Sequence, residues 1–487
     1  MKEVRTRYAP SPTGYMHIGN LRTALYEYLV SKVNNGKFIL RIEDTDQSRY
    51  VKGAVDVVYS TLKIAGIEHD EGPDIGGEYG PYVQSQRKDL YLPYAKQLID
   101  KGKAYYCLCT RERLDEMRRS LESENLPPKY DKCCMSLSRV ELEEKLSSGY
   151  PYVIRQKMPE KGITSYEDAV YGTISIDNKV LDDQILIKSD GLPTYNFANV
   201  IDDHLMKITH VVRGSEYLTS TPKYNLLYEA FGWDIPVYIH LPLINKPGGG
   251  KLGKRTGDPS FEDLIEMGYM AEAVVNYVAL LGWSPGDDRE FFSLESLCRE
   301  FNIKGISKSP AIFDIKKLTW MNGEYIRKLS LDKFHQLALP YYKKASLTGQ
   351  LNLIKLSEVL QKRTETFGAI PENIDFLAKL PDYDTSLYIH KKMKTNEENS
   401  LVSLKAIIPI MESIDKWKND VLFEKLAALA GEMGVKNGVI LWPLRTALSG
   451  KPVSPGGGTE LAEIMGREET LERINIGIDK LKKQLSS

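Results

Sequence analysis

Three separated groups of residues carry the chemistry this chain has to offer. The first is Ala9-Pro-Ser-Pro-Thr-Gly-Tyr-Met-His-Ile-Gly-Asn, ending at Asn20, in which His17 and Gly19 open a helix. A helix N-terminus presents unpaired N–H groups and the positive end of a dipole, so it attracts phosphate. The second is the acidic cluster Glu43-Asp44-Thr45-Asp46. The third is Lys251-Leu252-Gly253-Lys254-Arg255, preceded by Gly248-Gly249-Gly250. Consecutive glycines carry little intrinsic structure, so these cations are expected on a mobile loop. Taken singly, a histidine at a helix start is more often a cap, and a Lys-Arg run is usually solvated. Their meaning comes from converging on one sheet edge. A fourth group is metal-like: of five cysteines, Cys107, Cys109, Cys133 and Cys134 cluster. In a reducing compartment such clustering favours a metal over disulfides. Adjacent cysteines seldom ligate one tetrahedral ion together, so zinc and unpaired surface thiols both stay open on spacing alone.

The elements that position these groups are legible. Glu3 to Tyr8 reads as a strand, ended by Pro10 and Pro12, which a central strand does not tolerate. Leu21, Ala24, Leu25, Tyr28 and Leu29 then follow helical spacing, and Phe38-Ile39-Leu40 suits a buried parallel strand. This strand–helix–strand unit places His17 and the acidic cluster at the carboxyl edge of a sheet, where open α/β folds bind ligands. Asp56–Ala65 and Gln84–Lys101 read as helices. Short β-rich runs follow at Tyr152, Gly172 and Gln184. Ile208 to Val212 is a further buried strand, with Arg213-Gly-Ser-Glu216 at the same edge. A helix over Thr221–Phe231 and a strand over Val237–Leu243 lead to the basic loop. From about Ser260 the β signal nearly disappears and helical patterns run to the end. The expected fold is an α/β Rossmann-type doubly wound catalytic domain with an α/β insertion, followed by an all-α helical C-terminal half. The boundaries are 1–85 and 191–255 for the doubly wound domain, 86–190 for the insertion, and 256–325 and 326–487 for two helical regions.

The 487 residues suffice for about three domains. Lys plus Arg number 65 against 66 for Asp plus Glu, so any polyanion must be held by local basic patches rather than by net charge. No stretch has the apolar length of a signal peptide or a membrane span, which leads us to expect a cytoplasmic protein with no membrane partner.

Taken together, these residues resemble the class I aminoacyl-tRNA synthetases, and most closely the bacterial glutamyl-tRNA synthetase family. His17-Ile18-Gly19-Asn20 resembles the family's His-Ile-Gly-His signature, and Lys251-Leu-Gly-Lys-Arg255 its Lys-Met-Ser-Lys-Ser signature. Arg41-Ile-Glu-Asp-Thr-Asp46, Pro193-Thr-Tyr195 with Ala198-Asn199, Trp320-Met-Asn-Gly323 and Pro443-Leu-Arg-Thr-Ala-Leu448 extend the similarity along essentially the whole chain. Asn20 stands where the first signature has its second histidine, and Gly253 where the second has serine.

The resemblance implies a ligase that uses ATP, with Mg²⁺, to form glutamyl-adenylate from L-glutamate and then charges tRNA(Glu). His17, Gly19 and Asn20, with Lys251, Lys254 and Glu216, would form the ATP site, and His17, Lys251 and Lys254 would be its catalytic groups. Arg7, Ala9, Ser11, Glu43, Tyr195, Asn199 and Arg213 would bind glutamate, the arginines as carboxylate forks and Glu43 for the ammonium. By the same resemblance the insertion holds the tRNA acceptor end, residues 256–325 contact its stem, and residues 326–487 read the anticodon, with Arg363 at the third base. Related enzymes hold zinc through a Cys-x-Cys pair and a later cysteine. Cys107, Cys109 and Cys134 fit that spacing, with Tyr130 or Cys133 as fourth ligand. A monomer is expected. The alternatives are an enzyme that also glutamylates tRNA(Gln), and a silent tRNA-binding paralogue; a tRNA-modifying glutamyl transferase would lack the helical region after residue 325.

Overall fold

The first strand, β1 (Arg5–Tyr8), is buried along its whole length and stops before Pro10 and Pro12. Gly14 follows at φ +121°, a backbone that favours glycine, and lets the chain turn into α1 (Ile18–Val33). Parallel β2 (Lys37–Leu40) then pairs with β1, from Arg5 against Lys37 to Tyr8 against Leu40. In the computed structural model these elements begin a chain described at all residues except 1, 13, 15, 47–50, 251, 253–256, 348–350 and 487.

Next come α2 (Ala54–Ile64), α3 (Lys88–Asp100), β3 (Ala104–Cys107), α4 (Arg111–Ser123), α5 (Arg139–Ser147), β4 (Val153–Gln156), β5 (Ile163–Asp168), β6 (Gly172–Asp177) and β7 (Ile185–Ile187). They are followed by α6 (Tyr195–Leu205), β8 (His210–Gly214), α7 (Thr221–Phe231) and β9 (Val237–Leu241). Strands β6, β5, β9 and β8 form one sheet in that order, parallel except for β6. Thr209, just before β8, donates its N–H to Arg5 O at 2.9 Å and accepts the Arg5 N–H on Oγ1 at 2.8 Å, which lays β8 beside β1. From β1 the chain crosses through α1 to one side; from β8 it crosses through α7 to the other. The carboxyl ends of β1 and β8 are therefore a topological switch point, where neighbouring connections diverge and leave a crevice.

Strands β3, β4 and β7 make a separate antiparallel sheet. Its Ile154, Leu186 and Ile187 pack with Tyr91 and Leu98 of α3, Phe197 and Ile201 of α6, and Leu227 and Phe231 of α7. The hairpin β5–β6 comes from the same stretch of sequence but extends the parallel sheet, since Asp168 pairs with Tyr238.

The chain divides into two compact units, residues 1–263 with 274–314, and residues 264–273 with 315–487. The second is helical, with Phe334, Leu356, Ile407, Leu444, Leu461, Ile474 and Leu481 in one core. Among the described residues no helix is long and apolar enough to cross a membrane.

Candidate active site

A cavity of about 320 Å³ opens where β1 and β8 diverge. Its wall is built from Arg7, Ala9 and Ser11 on and after β1, His17, Gly19, Asn20, Arg22, Thr23 and Glu27 on α1, and Glu43 beyond β2. Tyr195 of α6 and Arg213, Glu216 and Tyr217 at the end of β8 complete it. His17 caps α1: its Nδ1 accepts the Gly19 N–H at 3.0 Å, which places the ring proton on Nε2. Asn199 shares a helix face with Tyr195, four residues apart. It is buried, and its Nδ2 has no hydrogen-bond partner. Lys251 and Lys254 lie outside the described residues. Leu252 between them is buried, lines the cavity, and donates its N–H to Ile244 O at 3.0 Å.

Through the β1 and α1 side of the cavity wall runs a buried ion network. Asp203 of α6 is its centre, accepting from Arg7 Nε at 3.0 Å and from Arg41 Nη1 at 2.7 Å. Arg7 Nη1 also donates to Glu27 Oε1 at 3.0 Å, and Arg41 Nη2 to Glu43 Oε1 at 3.0 Å. Burial alone would raise the Asp203 carboxyl, but the two guanidiniums more than offset it and hold the group below the usual carboxylate range. Burial pushes Glu43 up to about 7 against the pull of Arg41 and Arg7. Its Oε2 is buried without a partner, although it belongs to a carboxylate facing the cavity.

Arg213 is held differently. Its Nε donates to His240 Nε2 at 3.1 Å and its Nη2 to Thr221 Oγ1 at 2.7 Å. The guanidinium lies over the rings of Tyr224 (4.6 Å), Tyr217 and Tyr238 (each 5.2 Å). His240 Nδ1 is 2.6 Å from Asp168 Oδ2, so its proton sits on Nδ1 and its Nε2 is free to accept. Burial lowers the His240 pKa and favours that neutral form, despite Asp168.

Asp203, Arg41, Glu27, Arg22 and His240 are functional-site residues that sequence reading missed. Two carried a signal. Arg41 and Glu43 are two apart on an extended segment and so share a side, and Asp203 follows Tyr195 and Asn199 at helical spacing. The rest carried none, because only the fold turns them inward. Arg22 donates to the carbonyls of Leu281 and Pro242 and ties α1 to the chain beyond β9.

The cysteines do converge. The Sγ atoms of Cys107, Cys109 and Cys134 lie within 4.8 Å of one another. Cys109 Sγ is 3.5 Å from that of Cys134 and 3.4 Å from that of Cys133, and the Tyr130 hydroxyl is 3.2 Å from both Cys107 and Cys109. Zinc–sulfur bonds of ~2.3 Å in a tetrahedron hold sulfurs roughly 3.8 Å apart, so this donor set fits zinc. In the helical unit, Arg363, Phe423, Trp442, Arg445 and Val453 line a cavity of about 850 Å³. The Arg445 guanidinium stacks 4.1 Å from the Trp442 ring, and Arg363 Nη1 donates to Ser454 O at 3.2 Å.

Residues 3–320 match the family described as class I tRNA synthetases (E and Q), catalytic domain, and residues 333–478 match an anticodon-binding domain. The glutamate–tRNA ligase of Clostridium tetani is 61% identical over 484 residues, covering 99% of both chains. That of Clostridium botulinum is 62% identical over 480 residues, again covering 99% of each. The chain belongs to the glutamate–tRNA ligase family of class I tRNA synthetases. Among solved structures, a glutamate tRNA ligase from Elizabethkingia meningosepticum in complex with its amino acid superposes at a TM-score of 0.92, with 37% identity, covering 99% of this chain and 100% of that one. A glutamate-tRNA synthetase from Elizabethkingia anophelis does so at 0.91, also with 37% identity, covering 98% of this chain and 100% of that one. The signatures at His17 and Lys251 thus belong to a ligase of this family, and the switch-point cavity is its candidate active site.

The network makes one prediction about stability. Arg41→Met leaves Asp203, Glu43 and Glu27 with Arg7 as their remaining guanidinium, and should cost about 3–5 kcal/mol. Buried carboxyls without a cation have folded pKa values above their unfolded ones, so the folded state binds more protons. The deficit should therefore be larger at pH 8 than at pH 5. Urea unfolding of wild type and variant at the two pH values measures both effects.

Proposed function

We propose that this chain ligates L-glutamate to the 3′ end of tRNA(Glu), first forming glutamyl-adenylate and pyrophosphate from ATP and glutamate, then passing the glutamyl group to the tRNA with release of AMP. One observation carries this reading: the phosphate-binding start of α1 and the set Arg7, Glu43 and Arg213 wall the same cavity. Glutamate has two carboxylates and one ammonium; of the arginines that line the cavity Arg22 is turned to two carbonyls, which leaves Arg7 and Arg213 for the carboxylates, and Glu43 has an unpartnered oxygen for the ammonium. Arg7 and Arg213 take one carboxylate each, and Glu43 Oε2 takes the ammonium. Ala9 and Ser11 shape the pocket, while Tyr195 and Asn199 supply hydrogen bonds from α6.

ATP enters as its Mg²⁺ complex, with His17 and the Gly19 backbone against its phosphates and adenosine. Asn20 and Glu216 sit at the rim, both exposed. The attack of a carboxylate on the α-phosphate needs alignment and charge stabilisation rather than a covalent enzyme intermediate. Lys251 and Lys254 neutralise the departing pyrophosphate. For tRNA, the region 86–190 takes the acceptor end, residues 256–325 the stem and residues 326–487 the anticodon. There, Arg363 reads the third base at the mouth of the second cavity, where Trp442 and Arg445 offer stacking faces. Zinc, bound by Cys107, Cys109 and Cys134 with Tyr130 or Cys133, would crosslink the strand and turns that shape the region 86–190.

Incubation with ATP, glutamate and purified tRNA(Glu) should yield charged tRNA, and Lys254→Ala should lower kcat by about 10²-fold or more. No charging by wild type would overturn the assignment, and parallel charging of tRNA(Gln) separates a discriminating enzyme from a relaxed one. Because Glu43 must be ionised to pair with an ammonium and titrates near 7, the KM for glutamate should rise as pH falls from 8 to 6. In Glu43→Gln it should be high and nearly flat over the same range. Protein purified without chelator should contain about one zinc per chain, and Cys109→Ser should lose it; elemental analysis decides.

A further inference from the structure

The ion network does not balance. Arg7 and Arg41 supply two cations, whereas Asp203, Glu43 and Glu27 supply three carboxyls, all at most 4% exposed. Asp203 bridges both guanidiniums. Glu43 takes two bonds from Arg41, at 3.3 and 3.0 Å, and a long one from Gln84 at 3.4 Å. Glu27 takes one, from Arg7, and its Oε2 is buried with no partner at all. Three buried negative charges against two positive ones is a costly arrangement, and a proton on the least supported carboxyl removes the excess.

Among the described residues, the surroundings of Glu27 offer no other cation. On β1 it meets Arg7 and Tyr8, from α6 Asp203, and from beyond β2 Arg41. Of the charged groups on elements packed against α1, Glu295 and Arg299 of the helix Leu294–Glu300 pair with each other at the surface, and Arg213 of β8 is bonded to His240 and Thr221. On α1 itself, Arg22 is turned to the carbonyls of Leu281 and Pro242. Burial, reinforced by the charge of Asp203 against the pull of Arg7, raises the Glu27 carboxyl well above its ordinary range.

We propose that Glu27 is a further substrate-positioning residue: it is held as the neutral acid with its proton on Oε2, and that hydroxyl donates to the glutamate carboxylate gripped by Arg7. Glu27 walls the cavity beside Arg7, so a carboxylate on that guanidinium arrives next to the unpartnered oxygen. A neutral Glu27 also leaves Arg7 with one charged partner, Asp203, which it shares with Arg41, so part of its charge is available to the substrate. This inference rests on the assignment of Arg7 to glutamate binding.

Steady-state kinetics in the presence of tRNA test it. Glu27→Met keeps the volume and removes the donor; it should raise the KM for glutamate about tenfold, leaving kcat and the KM for ATP within about twofold. Glu27→Gln, a neutral side chain with a donor at the same end, should rescue that loss between pH 7 and 8. A Glu27→Met enzyme with wild-type KM for glutamate overturns the proposal. So does a Glu27→Gln enzyme whose KM departs more than fivefold from wild type in either direction, since removing a real negative charge would tighten binding and removing a needed one would weaken it. Arg7→Lys, run alongside, separates the two ideas. If it leaves the KM for glutamate unchanged, the assignment of Arg7 fails regardless of Glu27. Should Glu27→Met not fold, Glu27→Leu takes its place, with the same expected rise in the KM for glutamate and the same overturning result.

Discussion

Everything in the catalytic half depends on one shared carboxylate. Asp203 joins Arg7 of β1 to Arg41 beyond β2, and it does so from α6, nearly two hundred residues later in the chain. Buried ion pairs of this kind add little net stability compared with apolar packing, yet breaking one is expensive. Their value lies in direction: charge-assisted bonds near 3 Å fix where the guanidinium planes lie, whereas aliphatic packing would leave them rotational freedom. The network thereby sets the alignment of β1, α1, β2 and α6, and this alignment is what opens a cavity at the switch point with Arg7 and Glu43 already in its wall.

The second guanidinium follows the opposite logic. All hydrogen-bond partners of Arg213 are neutral: a histidine nitrogen and a threonine hydroxyl, with tyrosine rings on its faces. The carboxylate that supports it, Asp168, stands one residue further back, behind His240, and comes from β5. A hairpin from the middle of the insertion-like stretch is thus part of the scaffold of the active site. Arg7 has its charge partly spent inside the protein; Arg213 keeps its own.

How much of this was legible in the sequence follows from the range of the forces involved. Strands β1, β2, β7 and β8 and helices α1 and α7 declared themselves through local apolar patterning and proline punctuation. Strand β3, Ala-Tyr-Tyr-Cys, did not, because it has neither a continuous aliphatic run nor clear alternation. The residues His17, Arg7, Glu43 and Arg213 could be named from the resemblance of their motifs, supported by their places near strand ends or at the start of a helix. Glu27 illustrates the limit. On a helical wheel it is a polar residue among Leu25, Tyr26 and Leu29, and nothing local says that a tertiary arginine will meet it. Patterning predicts that a residue is buried, not which charge it will be buried against.

The different housing of the two arginines also bears on how the proposed glutamate site would reject the amide. A ligand carboxylate at Arg213 would meet a guanidinium whose hydrogen-bond partners among the described residues are neutral, with three tyrosine rings around it. Glutamine would present a neutral amide there, its oxygen accepting one bond while its nitrogen confronted N–H donors, and the guanidinium charge would remain uncompensated in a dry site. Leaving a buried charge or donor unpaired penalises the wrong ligand far more than the absence of a favourable contact would. At Arg7, by contrast, Asp203 and Glu27 already accept hydrogen bonds. In the glutamate-binding reading proposed above, rejection of the amide would therefore fall to Arg213, whose partners are neutral, rather than to Arg7, whose charge the network partly neutralises.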